Sequence, residues 1–167
     1  MLLALCAFGV MAQTNAENPL VNTSKAIYSI AKTDILKSVD KIPDALWSYK
    51  PTPEVRTIAA LFAHVADGQY EFCGPASGAN VDKKIEETKK TKAEIVAALK
   101  DAFAFCDGVL ATMTDQKAAQ TVDFFGGKQT RLGIMDFNTA HTMEHYGNLV
   151  TYMRMNKIVP PSSAGAN

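Results

Sequence analysis

Four stretches of this chain repeat apolar residues at intervals of three and four, each bounded by residues that start or stop a helix, and this constrains the chain to an all-α fold. Asn18-Pro19 sets a capping residue before a proline at the first helical position, and Ile27, Ile30, Ala31, Ile35 and Val39 stripe a helix running to about Val39. Pro43 stops it. Pro51-Thr52-Pro53 repeats the opening signal for a second helix, striped by Ile58, Leu61, Phe62, Val65 and Phe72 and ending near Cys73-Gly74-Pro75. Residues 75–90 are small, polar and lysine-rich, a connection with room for a short helical turn. Thr91 and Glu94 offer a capping box to a third helix carried by Ile95, Leu99, Ala102, Phe103, Cys106, Val109, Leu110 and Met113. The period lapses between Thr114 and Thr130, where Gly126-Gly127 flanked by Val122, Phe124 and Phe125 suggests a turn with extended flanks, expected as a loop and not a sheet. Thr130 caps a fourth helix with Ile134, Phe137, His141, His145, Leu149 and Tyr152 at helical steps, and the chain beyond Asn156 reads as a flexible tail.

Four such helices, with no internal repeat, imply a four-helix bundle whose two long connections leave the helix order open. At 167 residues the chain has room for one domain, taken as residues 19–161 with a tail over 162–167. Lys+Arg and Asp+Glu both number 17, which removes the electrostatic basis for binding nucleic acid or an anionic membrane. Residues 1–12, MLLALCAFGVMA, are uncharged and almost wholly apolar, and end in small residues at the positions a signal peptidase reads. They read as a signal peptide without its basic start, too short to span a bilayer, so the expectation is export to a periplasmic or extracellular location with no membrane insertion after cleavage. Leu5 before Cys6 argues against lipidation. In an oxidising compartment Cys73 and Cys106 either pair or stay as two separate buried thiols; spacing alone does not decide.

The chemistry concentrates in the only three histidines, His64, His141 and His145. Residues four apart share a helix face, so His141 and His145 can point at one centre, and His64 lies beside the apolar stripe of helix two. A lone core histidine is more often a packing residue, but two imidazoles in one apolar stripe each need a polar partner, and a shared divalent metal supplies it. Three imidazoles leave a coordination position open, as catalytic sites do and closed structural sites do not. Zinc or nickel suits such a site best, with iron or manganese as alternatives. His141-Thr-Met-Glu144-His145 also matches the pattern of inverted zinc peptidases, but no acidic residue follows Glu144 to complete that ligand set. Glu144 stays as a candidate base beside the plainer reading of a solvated helix residue, and Asp67, Asn138, Tyr146 and Asn148 are nearby polar candidates for lining a pocket. The lysines at 83, 84, 89, 90 and 92, interspersed with Glu86 and Glu87, read as a solvated face.

Arg56-Thr-Ile-Ala-Ala-Leu-Phe-Ala-His64, His141-Thr-Met-Glu-His145-Tyr-Gly-Asn, and Tyr152-Met-Arg154 running into Ile158-Val-Pro-Pro161 together resemble the DinB-like (YfiT-like) metalloenzymes over about residues 20–161. The resemblance implies a four-helix bundle with His64, His141 and His145 as its metal triad, a small-molecule substrate and a homodimer. Members of that family include thiol-dependent S-transferases and a maleylpyruvate isomerase using a low-molecular-weight thiol, in which the metal would generate a thiolate or hydroxide near neutral pH. The expectation is therefore an exported metal-dependent enzyme of thiol-transferase or hydrolase type. The alternative is a helical bundle that binds metal or a partner without catalysis.

Overall fold

The computed structural model describes residues 17–165; the signal peptide expected at 1–12 lies outside them. Its long helices are α1 (Pro19–Lys41), α2 (Ile58–Ser77), α4 (Lys92–Ala111) and α6 (Arg131–Met155). Single-turn helices α3 (Ile85–Thr88) and α5 (Asp115–Ala118) and a hairpin of β1 (Thr121–Phe124) and β2 (Gly127–Thr130) fill the connections, and 3₁₀ turns cover Asp44–Leu46 and Pro161–Ser163. The long helices form a bundle in which α2 packs on both α4 and α6, and α1 packs chiefly on α6. Tyr28, Ile35, Phe62, Leu99, Phe103, Ile134, Leu149 and Met153 are fully buried in its core.

Several local features differ from the sequence expectation, each for an identifiable reason. In α1 the buried stripe is Val21, Ser24, Tyr28, Ala31, Ile35 and Val39, while Ile27 and Ile30 are 54% and 60% exposed. Two polar-looking positions sit inside because their partners are there: the Tyr28 hydroxyl donates to the Phe103 carbonyl, and the Ser38 hydroxyl to its own helix at Asp34. Asn18 does not cap α1 through its own helix. Its Oδ1 accepts the Asp115 N–H, and the Asp115 carboxylate accepts the N–H groups of Leu20 and Val21 at 3.1 and 2.9 Å, so the cap arrives from 95 residues away.

Helix α2 begins at Ile58, not at Pro53. Thr57 Oγ1 accepts the Ala60 N–H, and the first helical N–H groups are taken by the carbonyls of Tyr49 and Trp47. It also runs through Pro75 to Ser77, because a proline in the last turn removes one hydrogen bond and Gly78, at φ 90°, then closes the end. The segment expected to be a loop forms a two-stranded hairpin, with Phe124 opposite Gly127 and both turn residues, Phe125 and Gly126, at positive φ (46° and 78°), the twist such hairpins need. Phe137, placed on the apolar stripe of α6, is 47% exposed. Beyond Asn156 the chain folds back: Pro160 and Pro161 are buried, and the Tyr146 hydroxyl donates to Ser162 Oγ at 2.8 Å while accepting the Ser162 N–H at 2.9 Å. Among the described residues no helix is long and apolar enough to cross a membrane.

Candidate metal centre

Helix α2 carries His64 and helix α6 carries His141 and His145, one turn apart. The three rings meet between the helices, with His141 Nε2 lying 3.2 Å from His64 Nε2 and 3.1 Å from His145 Nε2. His141 reaches that point by lying against the backbone of Gly68: a Cβ there would stand 2.7 Å from His141 Cε1, so only glycine leaves the space. The ring also packs nearly perpendicular to Phe72, at 5.0 Å between centroids.

Hydrogen bonding among the three rings cannot account for this geometry. An imidazole nitrogen carries one in-plane proton or one lone pair, so His141 Nε2 can satisfy one of its two close neighbours and not both. His64 Nδ1 lies 3.3 Å from Glu86 Oε2, which assigns its proton to Nδ1 and turns the Nε2 lone pair toward the centre. His145 Nδ1 lies 3.5 Å from the side-chain amide of Asn148, and His141 Nδ1 is buried with no partner. Three ring nitrogens converging on one point suit a cation, each offering its lone pair once the ring proton sits on Nδ1. Nitrogens about 2.0–2.1 Å from a common ion are about 3.3 Å apart in tetrahedral and about 2.9 Å apart in right-angled coordination. The observed 3.1 and 3.2 Å fall between those limits, so this three-histidine group can hold a metal ion.

Electrostatics prepare the rings for that role. Burial, then the neighbouring His145 and His64, then Arg56, pull the His141 pKa down to about 4. His64 is lowered by burial and by Arg56 against the opposing Glu86, and His145 by burial and by His64. All three are therefore neutral at pH 7, the form that binds a metal.

A second set of residues holds the first. The Asp67 carboxylate accepts the Ile85 and Glu86 N–H groups at 2.6 and 2.8 Å, pinning α3 to α2. Glu86, so placed, takes the His64 ring with one oxygen and Arg56 Nε–H with the other at 3.0 Å. The sequence reads the lysines around Glu86 as a solvated face, but Glu86 itself is the carboxylate behind a candidate ligand. The only hint in the sequence is that it lies in a polar segment returning toward α2. The centre borders an open cavity of about 580 Å³ lined in part by Arg56, Glu86, Glu144, His145, Asn148 and Tyr152.

Of the polar residues picked out from the sequence, Asn148 and Glu144 border this cavity. Three others do not act there. Asp67 spends both oxygens on α3, and Tyr146 holds the returning C-terminal segment. Asn138 is fully buried one layer below, donating to Gln69 Oε1 at 2.9 Å, while Gln69 donates to Thr142 Oγ1 at 3.0 Å. Beside that knot Cys73 and Cys106 form a disulfide between α2 and α4, their Cα atoms 5.5 Å apart, which decides between the two readings left open by their spacing.

No curated protein matches the chain. Among solved structures it is similar to a DinB-like protein of Bacillus subtilis, YjoA, with 20% identity over 81% of this chain and 92% of that one, at a TM-score of 0.67. A DinB-like protein of Bacillus cereus aligns at 16% identity over 84% of this chain and 95% of that one, with a TM-score of 0.72. A mycothiol-dependent maleylpyruvate isomerase aligns at 12% identity and a TM-score of 0.60, over 77% of this chain and 60% of the isomerase. These likenesses carry the fold, and the sequence profile of the DinB superfamily matches residues 28–149, most of the bundle including all three histidines. The chain belongs to the DinB superfamily.

Proposed function

We propose that this protein is an exported metal-dependent enzyme, a thiol S-transferase or hydrolase acting on a small molecule, with His64, His141 and His145 holding one divalent ion, zinc or nickel ahead of iron or manganese. The observation that carries the proposal is the convergence of three neutral Nε2 atoms that cannot satisfy one another beside an open cavity. A divalent ion, when bound, supplies Lewis acidity that lowers the pKa of a thiol or water toward neutrality. The protein's own part is preorganisation. Glu86 keeps the His64 proton on Nδ1, Gly68 and Phe72 fix the plane of His141, and Asn148 faces His145 Nδ1. Arg56 binds Glu86 through Nε, which leaves its terminal nitrogens to face the cavity and orient an anionic group. Glu144, exposed on the same cavity, is the candidate base for a proton from an incoming thiol or water.

The mycothiol-dependent activity of the similar isomerase supports thiol chemistry as the first class to test. Export is supported by the apolar run at residues 1–12 and by the Cys73–Cys106 bond, since disulfides persist in oxidising compartments. Association into a homodimer is part of the same proposal, with exposed Leu20, Ile27 and Ile30 on α1 offering apolar surface for it. The test is elemental analysis of protein purified without a histidine tag, paired with turnover of thiol-transfer and ester-hydrolysis substrates before and after chelation. One ion per chain, and turnover that disappears with the ion and returns on its addition, is the expected result. Turnover that survives complete metal removal sinks the enzyme mechanism; bound metal with no turnover across both panels favours a non-catalytic metal-binding bundle.

A further inference from the structure

Phe72, Phe124, Phe125 and Phe137, four of the eight phenylalanines in the chain, form one continuous aromatic cluster beside the histidines. Phe72 is its buried base, nearly perpendicular both to His141 at 5.0 Å and to Phe137 at 5.2 Å. Phe137 precedes His141 by one turn, so the face of α6 that carries the two histidines begins with this ring. The hairpin brings the remaining two rings, Phe124 and Phe125, whose centroids lie 4.3 Å apart. Despite this company, Phe125 is 68% exposed and Phe137 47% exposed. Phe125 also sits at φ 46°, a turn position where asparagine or aspartate is favoured and a bulky aromatic is strained. Neither the backbone nor burial in the core explains a phenylalanine there.

The geometry points to this cluster as the wall that receives an aromatic or alkyl group of the small-molecule substrate, whose reacting end lies at the histidines. The inference rests on the metal-enzyme reading above and adds the substrate class. Size favours a small molecule over a second copy of the chain. With roughly 150–250 Å² for an aromatic side chain, the exposed parts of the two rings offer on the order of 200–300 Å², whereas a standard interface needs about 800 Å² from each partner. Contiguity with the candidate centre gives the wall its direction. Apolar rings pack beside His141, whereas Arg56, Glu144 and Asn148 line the cavity at His145, so the two sets of residues would sort an amphipathic substrate by its ends.

Two probes separate the wall from the metal. Acetohydroxamate and benzohydroxamate bind a divalent ion through the same two oxygens and differ by methyl against phenyl. Titrated calorimetrically into zinc-loaded protein, benzohydroxamate is expected to bind roughly tenfold or more tightly than acetohydroxamate. Phe137→Ala and Phe125→Asn are expected to bring that ratio to within about twofold while the acetohydroxamate affinity stays put. Phe125→Asn installs the residue the turn prefers, so its melting temperature should hold or rise. A lower melting temperature with the ratio intact would make Phe125 a folding residue and overturn the assignment. Equal affinities of the two probes for the unaltered protein would overturn the wall and leave the metal reading standing. Failure of both probes to bind the zinc-loaded protein would remove the open coordination position that the enzyme reading requires, and this inference with it. Self-association that disappears in Phe125→Asn, seen by sedimentation, would reassign the patch to a second copy.

Discussion

Helices α2 and α6 meet at two polar clusters one turn apart, and the two are built on opposite terms. The inner one, Gln69, Asn138 and Thr142 beside the Cys73–Cys106 disulfide, is fully buried and pairs its groups in sequence: amide bonds amide, amide bonds hydroxyl, and the Thr142 hydroxyl returns to its own helix, with Asn138 Oδ1 left unpartnered. The outer one, His64, His141 and His145, brings three nitrogens together that cannot satisfy each other and leaves His141 Nδ1 with no partner. Each cluster leaves one buried atom unpaired, so the difference lies in the arrangement: only the outer cluster turns three ring nitrogens toward one point. The inner cluster reads as a clamp between helices, its groups mostly paired as buried polar groups are, and the outer one as a site that can hold a cation.

That contrast can be broken by altering each side in turn. The largest effect is expected from His141→Ala, which should take bound metal from one ion per chain to none by elemental analysis while leaving helical circular dichroism in place; stoichiometric metal in that variant would break the comparison outright. Replacing Cys73 and Cys106 together by serine, which opens a cross-link spanning 33 residues, should cost about 4 kcal/mol in urea unfolding and spare metal stoichiometry. Glu86→Gln keeps the shape behind His64 but weakens its hold on the Nδ1 proton, and a competing chelator should report about a 10–100-fold loss of metal affinity with unfolding unchanged.

The smallest effect is a pH dependence confined to the outer cluster. The folded-state pKa values of the histidines lie below the unfolded value near 6.5, with His141 at about 4, so the unfolded chain takes up protons first as pH falls. The apo protein should be indifferent to these groups above pH 6.5 and lose stability progressively from there to about pH 4. The inner cluster has no titrating group, so the His141→Ala variant should show a shallower decline in thermal melts across the same window.

The bundle was legible in the sequence because periodicity and caps report local structure, as the capping box at Thr91 and Glu94 and the Thr130 cap illustrate. The three histidines were legible because few residue types do their chemistry and the chain has only three. What escaped depends on contacts between distant segments. Asp115 capping α1 and Glu86 reaching His64 are set by tertiary packing, and nothing in the neighbouring residues announces them. Asn138 reads from the sequence only as a polar residue near the histidines, three positions before His141. At that offset a side chain points inward from the histidine face, and so it joins the clamp with Gln69. The hairpin was missed because its strands are four residues long and mostly polar, with a phenylalanine where the turn prefers asparagine. That mismatch with local preference lies beside the candidate centre, where function is expected to override it.

The most direct test is X-ray absorption at the metal edge of the protein loaded with one equivalent of zinc. The expected spectrum shows three imidazole nitrogens at about 2.0–2.1 Å, falling to two in His64→Ala. An ion with no imidazole shell, or a spectrum that His64→Ala leaves unchanged, would contradict the joining of α2 and α6 through a shared cation.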